Sequence, residues 1–131
     1  MFYQEEERRA EKSLPYQYLV LKRNKRIGRR DNIEDIKENG QTIDGRLLII
    51  RVRKNDLDYN RYAVNVSKKM EKSAVKRNRV RRQIQEVIRL NEKSDTITQK
   101  SLDIVIFARK SLMKLKYSEI ETTLIETLKT L

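Results

Sequence analysis

The stretch SKKMEKSAVKRNRVRRQIQEVIRL, Ser67–Leu90, decides the fold, because it joins the end of an alternating run to a helical one. Val80, Ile84, Val87 and Ile88 fall on one stripe of a 3.6-residue period, and that stripe must face a sheet. The spacing predicts a helix from about Ser73 to Leu90. Asn78, Arg82, Gln85 and Arg89 lie on the opposite side, in solvent. Arg79 and Arg81 flank the stripe, and Arg77 sits on its N-terminal extension, where it should leave the core edge. Lys76–Arg82 holds five cations in seven residues, and no acidic residue interrupts 72–85. Like charges at i,i+4 cost a few tenths of a kcal/mol each. With no acidic residue in 72–85 to offset that cost, the charge points to a polyanion; the bland alternative is a solvated basic face. Arginine forks two donors onto one phosphate, and lysine adds a point charge. The helix start adds free N–H groups. Asn78 is suited either to a base edge or ribose hydroxyl or to a local hydrogen bond near the helix start.

Working outward, Arg61–Lys68 alternates, with Tyr62, Val64 and Val66 on one face. Arg46–Arg53, RLLIIRVR, contains a four-residue apolar run that suggests a strand buried on both faces. Lys54–Asn60 is a turn by composition, so the two runs are expected to form an antiparallel hairpin, with an edge strand near Gln41–Asp44 before it. Upstream, Asp31 as N-cap, Glu34 as its capping-box partner, inward Ile33 and Ile36, and the stop Asn39-Gly40 predict a short helix. Downstream, Asn91–Ser101 reads as a polar loop and Leu102–Ala108 as the strongest strand. A last helix follows Tyr117, with Ser118 and Glu121 as its box and Ile120, Leu124, Leu128 and Leu131 as its stripe. The order α-β-β-(β)-α-β-α defines an α+β fold: a single-domain α/β sandwich on a mostly antiparallel sheet. Strand 62–67, helix 73–90 and strand 102–108 make a βαβ crossover, right-handed by default.

Composition bounds the function. The chain has 131 residues, about one domain, and a net charge of +12 from 31 Lys+Arg against 19 Asp+Glu. Nucleic acid is the first partner implied and an anionic membrane surface the second. No apolar run approaches the roughly 18 residues that span a bilayer. The absence of Cys and His excludes disulfides, Cys/His zinc sites, thiol nucleophiles and a histidine base, and suits a cytoplasmic binder. Residues 1–20 form an N-terminal extension, either a short surface helix ended by Pro15 or a frayed segment; Glu5–Glu7 exclude a secretory signal. Residues 21–131 form the domain. Its start, LKRNKRIGRR, carries six cations in ten without a repeating apolar face and reads as an irregular basic arm including Arg23 and Arg26. Asp56 and Asp58, with Glu34 and Asp35, raise a two-metal nuclease, but turn chemistry alone accounts for aspartates there.

Ser67-Lys68-Lys69 followed by Ala74-Val75-Lys76-Arg77-Asn78-Arg79-Val80-Arg81-Arg82 resembles the signature of the bacterial ribonuclease P protein subunit. The resemblance spans roughly 21–131: the basic start, the short helix ending in Gly40, the strand ending in Ala108-Arg109-Lys110 and the Tyr117-Ser118-Glu119-Ile120 helix occur in family order. It implies a protein that binds a large catalytic RNA and helps remove the 5′ leader of precursor tRNA. The RNA, with Mg²⁺, performs the endonucleolytic hydrolysis; the protein supplies no catalytic residue and no metal ligand. It implies a left-handed βαβ crossover, the reverse of the default. No membrane and no obligate protein partner are implied.

On this resemblance Lys68, Lys69, Lys76, Arg77, Arg79, Arg81 and Arg82 contact RNA phosphates, Asn78 makes a more specific contact, and Arg23 and Arg26 form a second contact. Ile33, Lys37, Leu48 and Ile50 are the candidates for a leader cleft. The family usually offers aromatics there, which this chain replaces at Ile33, Lys37 and Ile50, so leader binding is expected to rely more on charge and to be weaker or less discriminating. The family's glycine before Ala-Val is replaced by Glu71-Lys72-Ser73, so that turn is expected to differ. The alternative is a ribosomal or other structured-RNA-binding module without a tRNA-processing role.

Overall fold

A computed structural model describes residues 21, 23–27, 36, 40–94, 96–97 and 99–131. Its elements are β1 (Gln41–Asp44), β2 (Leu48–Lys54), β3 (Arg61–Asn65), α1 (Ala74–Lys93), β4 (Leu102–Ala108) and α2 (Tyr117–Lys129), with 3-10 turns at Arg23–Lys25 and Lys110–Lys114. The long apolar run becomes the inner strand β4. The sheet order is β1-β2-β4-β3. β2 pairs antiparallel with β4, from Leu48↔Ala108 to Lys54↔Leu102. β3 pairs parallel with β4, from Arg61↔Asp103 to Asn65↔Phe107. The βαβ unit therefore joins adjacent strands, and β1 is an edge strand antiparallel to β2.

The expected β2–β3 hairpin does not form: β4 lies between the two strands. Two asparagines route the connecting loop past the start of β4. Asn55 N donates to Ser101 O at 2.9 Å. Asn60 Oδ1 accepts from Lys100 N at 3.0 Å and Leu102 N at 3.1 Å. The Asn60 side chain thereby satisfies two backbone N–H groups at the start of β4.

Period two sorts the sheet into two faces. Leu48, Ile50, Val52, Tyr62, Ile104, Ile106 and Ala108 share one core with Val80, Ile84, Val87 and Ile88 of α1 and Ile120, Leu124 and Leu128 of α2. Each fully buried aliphatic side chain contributes roughly 1.5–3 kcal/mol. The other face carries a smaller cluster of Ile27, Ile36 and Val105, with Ala63 and Phe107 packed against it. β2 is thus buried fully on one face only, because Ile49 and the arginines face the smaller cluster's side.

Ile36 is helical and buried, and Gly40 N donates to its carbonyl at 2.9 Å, as a helix stop requires. The rest of the expected first helix, with Ile33 and Lys37, lies outside the described residues, as does the extension 1–20. Gly40 is demanded by close approach: a Cβ there would sit 2.5 Å from Ile36 O and 2.7 Å from Val52 O. Gly40→Ala must push the chain off β2, and we expect a loss of roughly 1–3 kcal/mol, read as an earlier thermal unfolding midpoint.

α2 starts a residue before the expected box. Lys116 N donates to Glu119 Oε1 at 3.1 Å, so Glu119 closes the helix start that was expected of Ser118 and Glu121.

Candidate nucleic-acid interface

α1 begins with an electrostatic conflict. Its first turn has no acidic residue, although the N-terminal dipole end favours anions and disfavours cations. Local hydrogen bonds hold the start instead. Ser73 is the N-cap, and its side chain accepts from Lys76 N at 3.3 Å. Glu71 Oε1 accepts from Ser73 N at 3.1 Å. Arg77 Nη1 donates to the carbonyls of Glu71 and Lys72, both at 2.9 Å. Among the described residues only Ser101 outside glycine has a positive φ. The 71–73 turn therefore needs no left-handed backbone, and its lack of glycine is accommodated.

Lys76, Asn78, Arg79 and Arg82 are exposed on α1, and Lys68 and Lys69 are exposed in the turn before it. Arg77 and Arg81 are half-buried. Asn78 Oδ1 accepts from Arg81 Nη1 at 2.8 Å, which is the local reading of Asn78 and occupies its acceptor. Gln85 and Arg89 are half-buried, not out in solvent as expected. Val75, 78 % exposed, stands beside the cations at the first turn.

The basic arm has apolar anchors that its composition hid. Leu21 is buried in the main core and Ile27 in the smaller cluster. Ile27 N donates to Tyr62 O at 2.9 Å, and Arg26 bridges Tyr62 in parallel, so Arg26 and Ile27 lie along β3. Lys25 Nζ pairs with Glu92 Oε2 at 3.1 Å and lies 4.6 Å from the Tyr59 ring centroid. Glu92 Oε1 also accepts from the Tyr62 hydroxyl at 2.7 Å. Burial, then the hydrogen bond and charge of Glu92, push the Tyr62 phenol well above its ordinary value, against a weaker opposing bond from Asn60. Tyr62 thus stays a neutral donor, and Arg26 is held exposed beside it. Arg23 falls in the 3-10 turn.

The cleft candidates Leu48 and Ile50 are corrected by the structure. They are 1 % and 0 % exposed beneath the helices, where no ligand reaches them. A strand alternates faces, so the positions open to a ligand are their neighbours. A groove is lined by Ile49, Arg51, Asn65, Ser67, Met70, Phe107 and Ala108. Register places Ile49, Phe107 and Asn65 in one row across β2, β4 and β3, with Arg51 in the next row. At the far end of this face, Arg61 forks onto buried Asp103 at 2.9 and 2.8 Å, and Asn55 Nδ2 donates to it at 3.0 Å. Burial pushes the Asp103 carboxyl up, but the bonds from Arg61 and Asn55 and the charges of Arg61 and Arg53 outweigh it and hold the carboxyl below its usual range.

A small α+β fold whose longest helix opens on a cluster of exposed cations, with no acidic residue in its first turn, has the surface of a polyanion-binding protein. A family model described as Ribonuclease P matches residues 21–131. The ribonuclease P protein component of Clostridium botulinum (strain Langeland) is 39% identical over 109 residues, covering 83% of this chain and 95% of that one. That of Mycoplasma mycoides subsp. mycoides SC is 36% identical over 108 residues, covering 82% and 96%. Among solved structures, the RNase P protein from Thermotoga maritima superposes with a TM-score of 0.73 at 26% identity, over 81% of this chain and 96% of that one. The Staphylococcus aureus RNase P protein gives 0.67 at 27%, over 81% and 94%. The chain belongs to the ribonuclease P protein family.

Proposed function

We propose that this chain, as the protein subunit of ribonuclease P, binds the catalytic RNA through α1 and the Lys68-Lys69 turn and holds the single-stranded 5′ leader of precursor tRNA in the groove on the open sheet face. The observation that carries the reading is the cluster of exposed cations at the start of α1, whose first turn has no acidic residue, in a chain of this family. The exposed cations Lys76, Arg79 and Arg82 reach RNA phosphates, with Arg81 beside them and Asn78 presenting its amide. Arg23 and Arg26 form a second contact. The RNA cleaves, and the Mg²⁺ of the holoenzyme is held with it. Among the described residues no group of three acidic side chains could hold a metal ion. No described helix is long and apolar enough to cross a membrane, and the proposed site of action is the cytoplasm.

The groove supplies what single-stranded RNA requires. Phe107 offers a ring, Asn65 an exposed amide and Arg51 a positive charge. Ser67 and Met70 continue the groove into the turn that leads to α1, so leader and catalytic RNA meet one continuous surface. Phe107 thereby provides a stacking ring on β4 where the family resemblance leads one to look on the first helix and β2. Base–aromatic stacking is worth roughly 1–3 kcal/mol per base. Phe107→Leu keeps the apolar packing, and we expect it to weaken precursor binding about tenfold while mature tRNA binding stays the same.

The test of the whole reading is cleavage of precursor tRNA by a cognate RNA subunit at low Mg²⁺, with and without the protein. A gain in rate or substrate affinity supports it. Equal binding of precursor and mature tRNA with no gain would instead mark a structured-RNA module.

A further inference from the structure

We infer that Arg77 is a positioning residue: it closes the Glu71–Ser73 loop onto α1 and so presents the neighbouring cations, and its own charge is not one of those that neutralise RNA phosphate. The inference rests on the reading that α1 meets RNA, and it removes one member from the expected set of contacts. Arg77 lies on the stripe side of the helix and is half-buried. Its Nη1 donates to two consecutive carbonyls, Glu71 O and Lys72 O, each at 2.9 Å. Its backbone N–H meanwhile makes the first helical bond, to Ser73 O at 3.0 Å. One residue therefore ties the loop to the helix from both its backbone and its side chain.

The need for such a tie follows from charge. Lys72, Lys76 and Arg79 crowd a helix end whose dipole repels cations, and no first-turn carboxylate relieves them. Left alone, that end would fray, and frayed cations pay ordering entropy on binding. Two carbonyl oxygens of the loop turned toward Arg77 meet its charge, while Ser73 Oγ accepts from the Lys76 N–H and Glu71 Oε1 from the Ser73 N–H. The turn is thereby held at ordinary negative φ without glycine. Charge at Arg77 serves the protein's own carbonyls, and charge at Lys76, Arg79 and Arg82 faces outward.

Three variants separate the roles: Arg77→Met, Arg79→Met as a contact control, and Ser73→Ala, which loosens the same turn without touching a charge. Affinity for the RNA subunit is measured against salt, and amide exchange is measured in the free protein. Each lost phosphate contact makes the log–log salt slope shallower by about 0.7–0.9. We expect that change for Arg79→Met. For Arg77→Met we expect roughly tenfold weaker binding, as for loss of a charge-assisted hydrogen bond, with the slope unchanged. Exchange at Ser73 and Lys76 should quicken while the Ile84 amide stays protected. Ser73→Ala should weaken binding in the same slope-preserving way, and the double variant should lose less than the sum. A shallower slope for Arg77→Met with unchanged exchange at Ser73 and Lys76 would overturn the inference. If the wild-type protein shows no salt-dependent RNA binding, the functional reading fails, and exchange in the free protein alone then decides whether Arg77 holds the turn.

Discussion

Replacing Lys76, Arg79 and Arg82 together with glutamine should weaken binding of the RNA subunit by about two to three orders of magnitude at moderate salt and make the log–log salt slope shallower by roughly 2–3. The three side chains leave α1 away from the stripe of Val80, Ile84, Val87 and Ile88, and all are exposed. Their loss should therefore leave the core intact. Removing like charges from a helix start even relieves repulsion of a few tenths of a kcal/mol per pair. The thermal midpoint should hold or rise while affinity collapses. Opposite signs in stability and binding are what a surface built for a partner shows, because clustered like charges carry a local cost that a complex with a polyanion offsets. A fall in stability without a change in slope would sink the assignment of this face to RNA. At saturating RNA the cleavage rate should return to the wild-type value, since none of the three is assigned a part in the chemistry.

The same conflict explains why α1 was legible in the sequence. A 3.6-residue stripe and a charge run are local patterns, and the four residues on the stripe are the four that are buried. The edge strand at Gln41–Asp44 was legible for a similar reason: it is short, polar and followed by a glycine turn. Strand order was not. Alternation shows which face a side chain takes and says nothing of which strand lies beside it, so sequence proximity alone points to β3 as the partner of β2. The structure inserts β4, and the side chains of Asn55 and Asn60 bond to β4 and its lead-in across forty residues or more. The groove was missed on parity. Leu47–Ile50 is apolar at both parities, so the sequence could not say whether Leu48 and Ile50 or Ile49 would face the ligand. Phe107 is hidden inside an unbroken apolar run, although its neighbours Ile106 and Ala108 point the other way. Arg77 left one trace, its place on the stripe side of the helix. Its true partners are backbone carbonyls, which carry no sequence signal.

Asp103→Ala should be the most destabilising single change on the open face, at about 3–5 kcal/mol, a large part of the roughly 5–15 kcal/mol that holds a domain folded. The carboxylate is 1 % exposed on the inner strand. It takes both prongs of Arg61, a bond from Asn55 and a longer pairing with Arg53 at 3.9 Å. Removing it leaves two arginines facing each other across β4 and frees the asparagine that routes the β2–β3 loop. The pH dependence carries the matching sign. The folded carboxyl titrates below its unfolded value, so the folded state binds fewer protons than the unfolded state around pH 4. The carboxylate's contribution is complete above that unfolded pKa of about 4 and is lost as pH falls through the lower folded one. The wild-type protein should lose stability on that acid limb, and Asp103→Ala, already lacking the contribution, should show a flatter one. Denaturant titrations at several pH values would read both. RNA binding should separate this residue from the interface: Asp103→Asn, the gentler change, offsets less of the charge of Arg53 and Arg61 on the face proposed to hold the leader. Its affinity for precursor tRNA, measured well below its melting temperature, should be equal or tighter. Weaker binding by a folded Asp103→Asn protein would mean that the arginines must be held by the carboxylate to meet RNA at all, and would move the leader site to this end of the sheet.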